Sequence, residues 1–180
     1  METRYYEAMK YLEVGLKVAY QLQNAGGLVL ICTKGEEGRY DLAPVAWCCP
    51  LDYDPVSRLL CVLDICHKTF KDLEASKEFA IALPAAAQKE LITRCGSVSG
   101  FEADKYQKFD IAAFAGKAAD VMIPVGVAGW IECRVSGIIV QGTSGVIMGD
   151  ALHAEAIEEA WRERFHYVSE EIGFRPGIRL

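Results

Sequence analysis

Hydrophobic and polar positions along this chain follow two periods in turn. In residues 1–24, Tyr6, Met9, Leu12, Leu16, Ala19 and Tyr20 recur at spacings near three and four, the repeat of one helical face. Asn24-Ala25-Gly26-Gly27 then stops that helix, because glycine readily takes the left-handed geometry in which helices end. Leu28-Val29-Leu30-Ile31-Cys32-Thr33 is a continuous apolar run and predicts a strand. The polar, glycine-bearing stretch 34–39 turns the chain back into a second strand over 40–49 as a hairpin. Residues 50–55 form a turn with two prolines, and further strands are predicted over 59–63, 77–84, 129–140 and 146–152, with a tight turn at 141–145.

Short helices fall between these runs. Thr69 is placed to cap a helix over 69–74, with Asp72 three residues on to complete a capping box, and 88–95 is also helical. Ser99 and Glu102 repeat the capping signature ahead of a helix over 103–109. Residues 154–165 predict an amphipathic helix, with Ile157, Ala160, Trp161 and Phe165 inward and Glu158 four residues before Arg162 on the outer side. Residues 111–124 are a link without a clear period, and 173–180 reads as a loop or extended arm. Six strands joined mostly by hairpins do not alternate with helices as a doubly wound sheet would. The pattern fits a mainly β fold, a closed antiparallel barrel with peripheral helices. It forms one domain over 1–180, with a helical extension at 1–25 and a tail at 173–180.

Composition changes this picture in three respects. The hydrophobic fraction of 52% lies above the usual range of about 45–50%, which leaves room for a buried subunit interface or an apolar ligand surface. A net charge of −6 excludes nucleic acid as a general partner, so any anion must be gripped locally. The most apolar stretch, 118–131, is broken by Asp120, Pro124 and two glycines and falls short of a membrane span, and residues 1–20 carry too much charge for a secretion signal. Seven cysteines without a C-x-x-C pair, three of them inside strand patterns (Cys32, Cys61, Cys133), point to a reducing cytoplasm.

Candidate chemistry gathers at two predicted helix starts. His67-Lys68-Thr69 sets a hydroxyl and an ammonium beside unpaired backbone N–H groups, the makings of a phosphate site or simply of a capped helix. Ser97-Val98-Ser99-Gly100, followed by Lys105, has the same character. Pro44 marks the 40–49 strand as an edge, whose free backbone groups can pair with the rim of a ring system or leave an ordinary edge with Trp47 in the core. Vicinal Cys48 and Cys49 point to opposite faces and are poorly placed to pair with each other. Cys66-His67 lacks a second ligand pair at zinc spacing, His153 reads as a surface histidine, and neither a Ser-His-Asp arrangement nor a Gly-x-Gly-x-x-Gly fingerprint is present.

Asp41-Leu-Ala-Pro-Val-Ala-Trp47, Pro50-Leu-Asp-Tyr-Asp-Pro55, His67-Lys-Thr69, Glu78-Phe-Ala-Ile-Ala-Leu-Pro84 and Cys95-Gly-Ser-Val-Ser-Gly100 with Asp104-Lys-Tyr106 succeed one another as in the flavin reductase-like family, which includes flavoredoxin, and the chain resembles it over residues 27–153. The resemblance implies an antiparallel Greek-key split β-barrel that binds FMN and works as a homodimer with flavin near the subunit boundary. By the same resemblance, Ala43, Pro44, Val45, Ala46, Trp47 and Cys48 line the isoalloxazine ring, while His67, Lys68, Thr69, Ser97, Ser99, Gly100 and Lys105 surround the ribityl phosphate. The implied activity is NAD(P)H-dependent reduction of flavin or ferric iron, with NAD(P)H as co-substrate and no obligatory protein acid or base. The alternative is a flavoredoxin-like carrier that exchanges electrons with a partner protein and does not itself oxidise NAD(P)H. The family usually has Asn at the place of Asp41 and Ser or Gly at that of Ala46. A carboxylate at Asp41 is expected to disfavour anionic reduced flavin and lower its potential.

Overall fold

The structure, a computed structural model, describes residues 27–157, 165–169 and 173–176. The helix expected over 1–24 lies outside the described residues. Seven strands form one antiparallel sheet: β1 (Val29–Lys34), β2 (Tyr40–Val45), β3 (Cys48–Asp52), β4 (Arg58–Asp64), β5 (Glu78–Leu83), β8 (Gly129–Gln141) and β9 (Ser144–Ala156), in the order β2-β1-β5-β8-β9-β4-β3. Two small hairpins stand apart, β6 (Ala113–Ala115) with β7 (Met122–Pro124) and β10 (Phe165–Ser169) with β11 (Gly173–Pro176). The helices are α1 (Lys68–Ser76), α2 (Lys89–Gly96) and α3 (Lys105–Lys108), with a 3₁₀ turn at Ala86–Gln88.

The connection from β2 to β3 explains why this sheet is a barrel. These two strands lie at opposite ends of the sheet order, yet only Ala46 and Trp47 separate them in the chain. Across a flat seven-stranded sheet the edges would lie about 29 Å apart. The chain from Val45 to Cys48 spans at most about 11 Å. The sheet must therefore curl until its edges approach, and at the bend Val62 N–H donates to Trp47 O at 2.9 Å, continuing the β3–β4 ladder. The strand predicted over 40–49 is thus two strands, bent at Ala46-Trp47, and strand structure continues through Pro50 to Asp52, where a turn was expected.

Alternate residues of β1 feed two cores, as a strand buried on both faces requires. Val29 and Ile31 point into the barrel with Val45, Cys61, Leu63, Phe79, Ile81, Cys133 and Ile147, and α1 closes one end with Phe70 and Leu73. Leu28, Leu30 and Cys32 point outward, where Leu42, Ala80, Ala82, Val121, Ile123 and the α2 residues Ile92 and Cys95 cover them. Gly145 admits Phe70, because a Cβ there would lie 2.1 Å from the Phe70 ring.

Several boundaries differ from expectation for identifiable reasons. The link at 111–124 holds the β6–β7 hairpin. Its return through 116–120 wraps the buried Glu132 carboxylate, which accepts from the N–H groups of Lys117 (3.0 Å), Ala118 (2.5 Å) and Ala119 (2.8 Å) and from Trp130 Nε1 (3.0 Å). Burial raises the Glu132 pKa, but these four donors outweigh it and hold the group below the ordinary carboxylate value. Residues 154–156, expected to begin a helix, remain in β9, because pairing with β8 through Gly129↔Ala156 overrides local helical period. Residues 158–164 of that helix lie outside the described residues, and Phe165, its expected last residue, begins β10 instead. The tail forms β11 at Gly173–Pro176, where a loop or arm was expected. His153 is half-buried, lies with its ring tilted 48° to that of Trp130 at 6.5 Å, and pairs with Glu155 at 2.9 Å.

Candidate functional site

The start of α1 is built by the turn that precedes it. Asp64, the last residue of β4, accepts from Cys66 N–H through Oδ1 (2.8 Å) and from His67 N–H through its carbonyl (3.0 Å). That leaves His67 in the N-cap position with extended backbone and without a side-chain cap. The helix begins at Lys68, one residue before the expected cap, so Thr69 lies inside the first turn and the Thr69–Asp72 capping box does not form. Asp72 instead accepts from Thr33 Oγ1 (2.9 Å) and from Lys68 Nζ (2.7 Å). Phe70 N–H is satisfied by His67 O, whereas the N–H groups of Lys68 and Thr69 belong to the unpaired donors that every helix start presents.

Opposite this helix start lies the 96–100 loop after α2. Ser97 Oγ donates to Arg94 O at 2.9 Å, and Ser99 Oγ accepts from Phe101 N–H at 3.2 Å. The second expected capping box also gives way: α3 is capped by Asp104, whose Oδ1 accepts from Gln107 N–H at 3.1 Å, and Glu102 takes no part. Gly100 is obligatory for the loop to sit where it does. A Cβ there would lie 2.3 Å from Asp41 Oδ2 and 2.8 Å from Lys68 Cδ.

Between these two features is a cavity of about 360 Å³, lined by Asp41, Ala43, Pro44, His67, Lys68, Thr69, the 95–100 segment and Lys105. A second cavity of about 440 Å³ is lined by Pro44, Val45, Ala46, Trp47, Val62, Leu63, Asp64, His67, Thr143 and Ser144. Pro44 and His67 border both, so the two form one trough, polar at one end and largely apolar at the other. Its volume falls in the range of roughly 300–1,000 Å³ usual for small-molecule sites. A larger cavity of about 580 Å³ is lined by Arg39, Tyr40, Tyr106, Gln107 and Met122, among others. Its Arg39 donates to Gly100 O (2.7 Å), its Tyr106 donates to Met122 O (2.6 Å), and its Asp104, the N-cap of α3, already accepts from Gln107 N–H (3.1 Å).

Of the residues expected to line the ring or surround the phosphate, all but Cys48 border the trough. Cys48 turns inward and packs with the barrel core, while Cys49 is exposed. The lysines are not the free ammonium groups that a phosphate clamp suggests. Lys68 is 4% exposed and pairs with Asp72 (2.7 Å) and Glu37 (2.9 Å). Burial pulls its pKa down, yet the hydrogen bonds to Asp72 and Glu37 outweigh that and leave it above the ordinary value. Lys105, 3% exposed, donates to Leu42 O at 2.7 Å and stands 3.1 Å from Asp41 Oδ1.

Asp41 lies at the polar end with Lys105, away from the Val45–Trp47 end. Its expected influence on a ring bound there is therefore opposed by a neighbouring cation. Among the described residues the Lys105 ion pair at 3.1 Å is the close partner of the Asp41 carboxylate, and burial pushes the Asp41 pKa above the usual carboxylate range despite Lys105. Thr143 and Ser144 escaped the sequence reading, because only the pairing Asp64↔Ser144 and the bond from Ile65 N–H to Thr143 O (3.0 Å) bring the β8–β9 turn to the trough.

Three comparisons bear on this arrangement. The chain is 28% identical over 153 residues to the uncharacterized protein YddH of Escherichia coli K12, covering 84% of this chain and 78% of that one. It superposes on the FMN-binding domain of a flavin reductases-like enzyme from Shewanella baltica OS155 with TM-score 0.72 at 25% identity, covering 93% and 94% of the two chains. It superposes on the flavoredoxin of Desulfovibrio vulgaris (Miyazaki F) with TM-score 0.82 at 16% identity, covering 96% and 95%. Such neighbours have the split barrel that the strand order implies. With residues 22–171 matching the flavin reductase like domain, the chain belongs to the flavin reductase-like family.

Proposed function

We propose that the trough binds FMN and that the protein is a flavin oxidoreductase that draws electrons from NAD(P)H. One observation carries this reading: a single trough runs from an apolar end to a cluster of hydrogen-bond donors supplied by two facing backbone turns. The residues fit a planar ring on a polyol phosphate. Backbone N–H groups of Lys68 and Thr69, the positive end of α1 and the hydroxyls of Thr69, Ser97 and Ser99 suit a phosphate. Pro44, Val45, Ala46 and Trp47, on the bend between two edge strands, suit the ring. Lys68 and Lys105, already paired with Asp72, Glu37 and Asp41, would contribute by holding this frame, and the phosphate would rest mainly on backbone and hydroxyl donors.

When bound, FMN would supply the two-electron chemistry, accepting hydride at N5 and passing electrons to free flavin, ferric iron or a partner protein. The protein's part is to orient the ring and to exclude water from it. Trp47 (46% exposed), Leu51, Tyr53 and Val56 leave an apolar margin beside the ring end, which supports a homodimer whose second subunit completes that wall. A cytoplasmic setting accords with the cysteines, all free among the described residues.

Titration of the purified protein with FMN, followed by flavin fluorescence, tests the binding. Saturable quenching that Thr69→Ala weakens is expected, and absence of binding would overturn the proposal. Anaerobic mixing of the FMN-loaded protein with NADH or NADPH then tests electron uptake. Rapid bleaching identifies a reductase. A stable flavin colour that only a ferredoxin-type donor bleaches identifies instead a carrier like flavoredoxin.

A further inference from the structure

Cys48 on β3 and Cys61 on β4 are direct cross-strand partners. Their position in the ladder is fixed by the neighbouring pair: Val62 N–H donates to Trp47 O, which makes Trp47 and Val62 a hydrogen-bonded pair and Cys48 and Cys61 the adjacent non-hydrogen-bonded one. The next non-hydrogen-bonded pair holds Pro50, whose missing N–H costs the ladder nothing there. Non-hydrogen-bonded partners are the closer kind, with Cα atoms about 4.5 Å apart, at the near end of the roughly 4.4–6.8 Å that a disulfide spans. Both side chains face the barrel interior, where Cys61 is 1% exposed and Cys48 packs over the same apolar cluster.

We infer that Cys48 and Cys61 are an oxidative modification site, cross-linked by peroxide into a disulfide that ties β3 to β4. Cys48, the more accessible of the two, reacts first. Its thiolate attacks one peroxide oxygen, the O–O bond breaks, and a sulfenic acid forms as the first water leaves. The Cys61 thiolate then attacks the Cys48 sulfur, the S–O bond breaks, the S–S bond forms and a second water leaves. Two thiols lose two electrons and two protons to one peroxide, giving one disulfide and two waters. The bond lies one residue from Trp47 and Val62, both in the wall of the trough, so oxidation fixes that wall covalently.

The other cysteines are less suited. Cys49 points to solvent, Cys66 is exposed in the turn before α1, and Cys133 comes from β8, which is not a neighbour of β3 or β4. Cys61 and Cys133 are the titratable groups beside Cys48 inside the barrel, and contact with Cys61 followed by burial pushes the Cys48 thiol well above its ordinary value. The Cys48 thiol is therefore slow to react near neutrality and faster in mild alkali.

The test is peptide mapping without reductant after treating the full chain with hydrogen peroxide, at about pH 7 and about pH 9. A Cys48–Cys61 linked peptide, formed faster at the higher pH and retained in Cys133→Ser, is expected. Cys48 linked instead to Cys133, Cys49 or Cys66 would overturn the inference. So would a Cys48 that stays reduced, or that proceeds to sulfinic acid, while Cys49 and Cys66 oxidise. The wild-type chain alone gives the decisive reading, so a variant that fails to fold does not blunt the test.

Discussion

Replacing Lys105 with Met should expose how the polar end of the trough is held together. Lys105 Nζ donates to Leu42 O at 2.7 Å and is the nearer of the two cations acting on Asp41, at 3.1 Å, with Lys68 farther off. Methionine keeps most of the side-chain volume but removes the charge and the donor. Breaking one partner of a buried ion pair costs about 3–5 kcal/mol, because the remaining charge stays buried without compensation. On a domain of this length, that lowers Tm by roughly 6–20 °C.

The cost should depend on pH in a defined direction. Asp41 has its folded pKa raised above the ordinary value of 3.8, so the native state binds more protons than the unfolded state between those two values. Stability from this group is therefore lost as pH rises through the window, and loss of Lys105 raises the folded pKa further and widens it. Urea denaturation should show a larger deficit for Lys105→Met near pH 7 than near pH 5. Asp41→Asn in the same background should restore most of the loss, since neither remaining side chain is then charged. A deficit below about 1 kcal/mol, or a double variant whose loss equals the sum of the single ones, would refute this account.

Other outcomes follow from neighbouring geometry. Glu132→Gln should destabilise the chain by about 2–4 kcal/mol in chemical denaturation, because an amide offers one acceptor oxygen to four donors fixed around the carboxylate. With its folded pKa lowered, Glu132 contributes stability above the ordinary value of 4.5 that is lost as pH falls through the folded pKa. Acid titration of wild type against Glu132→Gln should show that difference shrinking. Gly100→Ala should weaken FMN binding and lower Tm together, since its Cβ would lie 2.3 Å from Asp41 Oδ2. Thr69→Ala should weaken FMN affinity with a stability change below about 1 kcal/mol, as this hydroxyl caps nothing; a larger loss without ligand would return it to a structural role.

Much of this molecule is written locally. The apolar run at 28–33, the glycine-bearing turns and the proline at 44 determine that strands form, where they turn and which lies at an edge, because each depends on side-chain period or on a missing N–H within a few residues. The polar segments at 67–69 and 97–100 are legible for the same reason, since hydroxyl, glycine and lysine at helix boundaries carry their chemistry with them. Tertiary structure alone decides what those segments touch. The bend at Ala46-Trp47 is invisible as a period, because it follows from the closure of a sheet whose edges are adjacent in the chain. Lys68 reads as a free cation until Glu37 from another segment and Asp72, one turn on in the same helix, pair with it, and Lys105 until Asp41 of β2 does. Thr143 and Ser144 reach the trough through pairing with a strand about 80 residues away. Local sequence selects conformations over a few bonds, whereas burial, pairing and charge compensation depend on distances that exist only once the barrel has closed.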